Sequence, residues 1–147
     1  MNRHPLIPLA VITLSLVGAS SSLVEAQEAV AISKLPFSAA RKAGGTLYIS
    51  GQISRNVDGE DVRESVAAET RTIMDNIGRI LKDNGYGFED LVSVTVYLRD
   101  ILGYHEMNAA YRDYFENGVL PTRACVGGAQ IVFDFKVEIS AIAYKEE

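Results

Sequence analysis

Three residues toward the C-terminal end carry side chains suited to binding a small anion and working on it. Arg123 and Cys125 lie in the run Pro121-Thr122-Arg123-Ala124-Cys125-Val126, and Glu138 follows in Val137-Glu138-Ile139, fifteen positions beyond Arg123. Side chains alternate along an extended chain, so Arg123 and Cys125 share a face. Glu138 is out of phase with Val137, Ile139, Ala141 and Ala143, which places it on the face of its strand turned away from the apolar core. The expectation is that a guanidinium, a thiol and a carboxylate meet on one polar sheet face and form a pocket for a small organic anion. Each also has a structural reading. Arg123 can be a structural salt-bridge residue, Glu138 its ion-pair partner at an interface, and Cys125 a small buried filler. No His or Lys is placed by any motif to lower the thiol pKa, so a backbone role for Cys125 is favoured over thiolate chemistry. No Gly-rich phosphate loop, nucleophile elbow, paired metal-binding His or Cys–His–Asn set accompanies them. His105, beside a helix start, reads as a surface residue.

The elements that must position these groups follow from periodicity. Ala29 to Ser33 and Ser38 to Ala43 read as short extended pieces around Pro36. Gly44-Gly45 is a two-residue hairpin signal leading into Thr46-Leu47-Tyr48-Ile49-Ser50. Alternation there puts Leu47, Ile49 and Gly51 on one face and Tyr48, Ser50 and Gln52 on the other. Val62, Val66, Thr70, Ile73, Met74, Ile77, Ile80 and Leu81 form a helical apolar stripe, with Gly85 at the expected left-handed cap. Leu91 to Leu98 is a strand, with Val92, Val94, Val96 and Leu98 alternating against Ser93, Thr95 and Tyr97. A shorter helix is expected from about Gly103 to Asn117, then strands from Thr122 to Val126 and from Lys136 to Tyr144. The order β-β-α-β-α-β-β predicts an α+β two-layer sandwich with both helices on one face of a mixed sheet. Tyr48, Ser50, Gln52, Ser93, Thr95, Tyr97, Glu138 and Ser140 then cover the other face. That face is too mixed for a dry core and too aromatic for full solvation, which points to subunit packing.

The 147 residues fit one domain, and a hydrophobic share of 48% with 22% charged residues is ordinary for a globular chain. One Cys and two His exclude a disulfide framework and a multi-thiolate metal site. A net charge of −5 argues against an electrostatic nucleic-acid binder. At the N-terminus, Arg3 and His4 precede an apolar stretch from Leu6 to Ala19 and a small-x-small ending at Val24-Glu25-Ala26. This pattern is that of a secretory signal peptide over residues 1–26. Cleavage after Ala26 leaves a mature domain over 27–147, expected to be soluble and exported, periplasmic or secreted. An uncleaved anchor is the alternative, though the apolar core falls short of the ~20 residues that span a bilayer.

From about Pro36 to Tyr144 the chain resembles the Rid family, the reactive intermediate deaminases also called YjgF or L-PSP proteins. The likeness rests on Ser50-Gly51-Gln52, Asn76-Ile77, Val94-Thr95-Val96-Tyr97-Leu98 with Asp100, and Asn108-Ala109-Ala110-Tyr111 with Phe115. Its most specific parts are Pro121-Thr122-Arg123-Ala124-Cys125-Val126 and Val137-Glu138-Ile139-Ser140-Ala141-Ile142-Ala143. The resemblance implies a chorismate-mutase-like trimeric barrel with sites in clefts between subunits. It implies cofactor-free and metal-free hydrolysis of 2-imino or tautomeric enamino acids to 2-keto acids and ammonia. In that reading Arg123 grips the substrate carboxylate, Gly51 and Cys125 offer backbone groups, Glu138 orients or deprotonates water, and Asn108 shapes the site. Ser50 adjoins the ligand. The family's Gly-Pro-Tyr is replaced by Leu35-Pro36-Phe37, so the ring of Phe37 remains while the hydroxyl is lost. Gly127-Gly128 replaces bulkier residues and is expected to widen the pocket. Other expectations attached to the resemblance are a non-catalytic carboxylate-binding or protein-interaction trimer, an endoribonuclease, and hydrolysis of a different polar bond.

Overall fold

A computed structural model of the chain describes residues 36–116 and 118–146. The chain divides into two units, Met1–Phe37 and Ser38–Glu147. The expected leader, its cleavage point and the extended piece at 29–33 lie outside the described residues.

In the second unit β1 (Ala40–Ala43) and β2 (Thr46–Gln52) form a hairpin in which Ala43 pairs with Thr46. Gly44 takes φ +54, the left-handed conformation such a turn requires. Helix α1 runs over Val66–Asp83. It starts later than the apolar stripe because Ser65, in extended conformation, caps it by accepting the Ala68 N–H at 3.0 Å. Gly85, at φ +83, ends it as expected. β3 (Leu91–Leu98) follows, then a single 3₁₀ turn (Ile101–Gly103) and helix α2 (Tyr104–Arg112). β4 (Thr122–Gly127) and β5 (Val137–Tyr144) complete the unit. The predicted second helix is therefore split and shortened. Asp100 caps the 3₁₀ turn through the Leu102 N–H, and the true α-helix ends five residues before Asn117.

The five strands lie in the order β1-β2-β5-β3-β4, with β3 and β4 parallel and every other pair antiparallel. Both helices cover one face, giving the α+β two-layer arrangement. Leu47, Ile49, Val94, Val96, Val137 and Ile139 meet Ile73, Met74, Ile77, Leu81 and Met107 between the layers. At the mouth of β5 the carboxylate of Glu69, fully buried, accepts the N–H groups of Lys136 at 2.7 Å and Val137 at 3.1 Å and pairs with Lys136 Nζ at 3.2 Å. This closes backbone donors that would otherwise be lost where the strand begins.

Two irregularities change which residues share a face. The β2–β5 register slips between Ile49 and Gln52, and the β3–β5 register slips between Leu91 and Ser93. A bulge reverses the parity of the residues beyond it. Gly51 therefore does not share the face of Leu47 and Ile49: a Cβ placed there would collide with Glu138 Oε1, on the opposite side of the sheet. Likewise Leu91 is buried and Val92 is exposed, the reverse of the expected alternation.

Candidate active site

β4 lies at the sheet edge with only β3 beside it. Arg123 and Cys125 stand in register with Val94 and Val96, both buried beneath the helices. The two side chains thus point to the helix layer, while Thr122, Ala124 and Val126 face outward and are exposed. Glu138 is in register with Tyr97, on the opposite face. The expectation of one shared face fails: within one protomer the sheet separates Arg123 and Cys125 from Glu138. An ion pair between Arg123 and Glu138 of the same chain is excluded by the same geometry.

Arg123 is held from several sides. Its Nη2 donates to Asn108 Oδ1 at 2.6 Å, and its Nη1 lies 3.8 Å from Met107 Sδ, both on α2. The guanidinium carbon sits 4.8 Å from the Tyr111 ring centre and 5.9 Å from that of Tyr104. Among the described residues no carboxylate pairs with it. A half-buried guanidinium fixed by an amide oxygen and aromatic faces, with donors to spare, is a receptor for a planar oxyanion. Asn108, expected only to shape the site, is the residue that orients this cation.

Arg123 lines a cavity of about 570 Å³ whose walls include Tyr104, Tyr111, Phe115 and Leu120. Cys125, two residues along, packs against the core. Burial pushes its thiol pKa up, outweighing the nearby Arg123 charge, which disfavours the thiolate. The Tyr111 hydroxyl is buried with no hydrogen-bond partner among the described residues, and burial drives its pKa up to about 12.

Across the sheet, Glu138 and Gly51 form a second cluster. Gly51 is a close-approach glycine, since the Glu138 carboxylate occupies the space of its missing side chain. Ser50, adjoining it, donates from Oγ to the Ala39 carbonyl at 3.1 Å and anchors the bulge to β1. Desolvation raises the Glu138 pKa, and no hydrogen bond or ion pair among the described residues engages its carboxylate. A desolvated carboxylate with a raised pKa is a competent general base. Phe37 has an exposed ring, and the described residues that line the cavity all belong to the second unit. Gly127 does not widen the cavity as expected. Ile101 fills the space beside it, 2.6 Å from where a Cβ would stand, and neither Gly127 nor Gly128 is among the lining residues.

Fold and site together define a small α+β protein with an unpaired arginine in an aromatic-walled cavity and a separate basic carboxylate. The model of the family described as endoribonuclease L-PSP matches residues 28–145, and the chain belongs to that family. A RutC family protein of Pyrococcus horikoshii is 41% identical over 112 residues, spanning 76% of this chain and 88% of that one. The 2-iminobutanoate/2-iminopropanoate deaminase of Escherichia coli K12 is 36% identical over 104 residues, spanning 69% and 81%. Among solved structures, the YjgF gene product of E. coli superposes with a TM-score of 0.74 at 32% identity, covering 78% of this chain and 92% of that one. E. coli TdcF with bound serine gives 0.72 at 29% identity, covering 76% and 90% respectively.

Proposed function

We propose that the chain is an exported hydrolase of 2-imino acids and their enamine tautomers, acting as a homotrimer whose sites lie between protomers. The observation that carries this reading is Arg123: a cation oriented by Asn108, flanked by two aromatic rings and left without a carboxylate partner among the described residues. Its planar fork suits the carboxylate of a 2-imino acid. Because the sheet separates Arg123 from Glu138 in one chain, Glu138 of a neighbouring protomer completes the site. The outer face, with Tyr48, Ser93, Thr95 and Tyr97, provides the packing surface for that neighbour.

In the reaction, Glu138 takes a proton from water as the water oxygen bonds to the imine carbon. The C=N π pair moves to nitrogen, which collects a proton. Glu138 returns the proton it took to the carbinolamine nitrogen. The C–N bond breaks to release ammonia as the hydroxyl oxygen forms the C=O bond, and the hydroxyl proton passes to solvent, leaving the 2-keto acid. Imines hydrolyse readily in water, so positioning and one base, worth about 10²–10⁴-fold, are sufficient catalysis. No step uses the Cys125 thiol.

The test generates 2-iminobutanoate with an amino-acid oxidase and traps it with semicarbazide. Suppressed semicarbazone formation is expected; an unchanged rate, where the E. coli deaminase suppresses it, would refute the reading. The bound serine of TdcF and the missing hydroxyl at Phe37 favour a second reading, a carboxylate-binding trimer without turnover. Saturable keto-acid binding with no effect on trapping would establish it. RNA cleavage abolished by Arg123→Ala would instead support a nuclease. Export rests on the N-terminal sequence pattern alone. Expression of the full chain in a bacterial host should yield a periplasmic product beginning at Gln27. A cytoplasmic product retaining Met1 would overturn export.

A further inference from the structure

We infer that the preferred substrates of this site are 2-imino acids with an aromatic or bulky apolar side chain, rather than three- or four-carbon ones; this rests on the reading just proposed. Three features of the cavity support it. Within one protomer the charged lining residues among those described are two cations, Arg123 and Arg112, which favour an anion. Tyr104 and Leu120 present exposed apolar surface beside the guanidinium, backed by the buried rings of Tyr111 and Phe115. The Phe115 and Tyr111 rings pack with centres 4.8 Å apart and planes tilted by 37°, so the wall is preorganised. Its volume, about 570 Å³, falls within the roughly 300–1,000 Å³ typical of pockets for drug-sized ligands. A four-carbon acid on Arg123 would leave much of that apolar wall wet. An aryl side chain covers it while its carboxylate stays on the same guanidinium.

The chemistry at the reacting carbon is unchanged: water adds, ammonia leaves, and only the substituent differs. Amino-acid oxidase supplied with phenylalanine or with 2-aminobutanoate generates the two imines for semicarbazide trapping under matched conditions. The phenyl substrate is expected to be favoured by about tenfold or more in kcat/KM, the scale on which apolar pockets discriminate. Equal rates, or preference for 2-iminobutanoate, would overturn the inference and leave the deaminase reading intact. If neither imine is hydrolysed the deaminase reading fails, and calorimetric binding of phenylpyruvate against 2-ketobutanoate decides the ligand class. Tighter phenylpyruvate binding supports the inference, and equal or reversed affinity refutes it. Leu120→Ser removes apolar surface at an exposed edge of the cavity without adding charge, where folding is not at stake. It should weaken phenylpyruvate about tenfold and 2-ketobutanoate less than about twofold. Equal weakening of both acids would contradict recognition of the side chain by this wall.

Discussion

At the residue scale the chemistry divides between a cation that binds and a carboxylate that activates water. Arg123→Ala removes charge-assisted hydrogen bonds of about 1.5–3 kcal/mol, so keto-acid affinity and kcat/KM should fall roughly ten- to a hundredfold. Arg123→Lys should recover little, because an ammonium cannot reproduce the two-donor fork. Titration calorimetry and trapping rates check both. Glu138 works as the anion, and burial raises its pKa. As pH falls through that raised value the base is protonated, so activity has an acid limb above the ordinary glutamate range of about 4.3. In Glu138→Gln the limb should vanish along with most of the rate. A wild-type profile flat from neutral pH to about 4 would contradict the assignment. The unpartnered Tyr111 hydroxyl makes the opposite kind of prediction. Tyr111→Phe removes a buried unsatisfied group and should raise stability by about 1 kcal/mol in urea unfolding.

At the element scale, bulges decide which groups meet. Gly51 faces Glu138 only because β2 slips register against β5. Gly51→Ala sets a methyl where the carboxylate lies. The carboxylate is the free end of a flexible chain, so stability should hold while the base is displaced, at a cost of as much as about 10²-fold in rate. Glu69→Ala acts at the other end of β5. It strips a buried carboxylate from two strand N–H groups and Lys136, and should cost about 3–5 kcal/mol. Chemical denaturation checks both variants. The element order, the hairpin at Gly44-Gly45 and the inward set of β5 were legible in alternation and glycine placement. The two bulges were not: Val92 carries no local signal, and the lone strand glycine at Gly51 marks a bulge or a close approach without telling which. The facing of β4 was also hidden. Its alternation is plain, but an edge strand can turn Arg123 inward when a helix supplies Asn108 and two tyrosine rings, leaving Ala124 and Val126 outside. The apolar-in rule points the wrong way there.

At the scale of the whole molecule, one protomer carries Arg123 and Glu138 on opposite faces of its sheet, and the proposed function needs both in one site. Among the described residues no helix is long and apolar enough to cross a membrane, and the exposed Tyr48 and Tyr97 on the outer face await a partner. In the proposed trimer, closed cyclic assembly would bring the Glu138 side of one chain to the Arg123 side of the next. Subunit mixing tests this directly. Arg123→Ala and Glu138→Gln protein, each inactive alone, are co-refolded in equal amounts and assayed by semicarbazide trapping. If the two residues act from different chains, about a quarter of the sites regain an intact pair and about a quarter of wild-type activity returns. If the mixture stays as inactive as its parents while mixed oligomers form, Arg123 and Glu138 do not share a site between protomers.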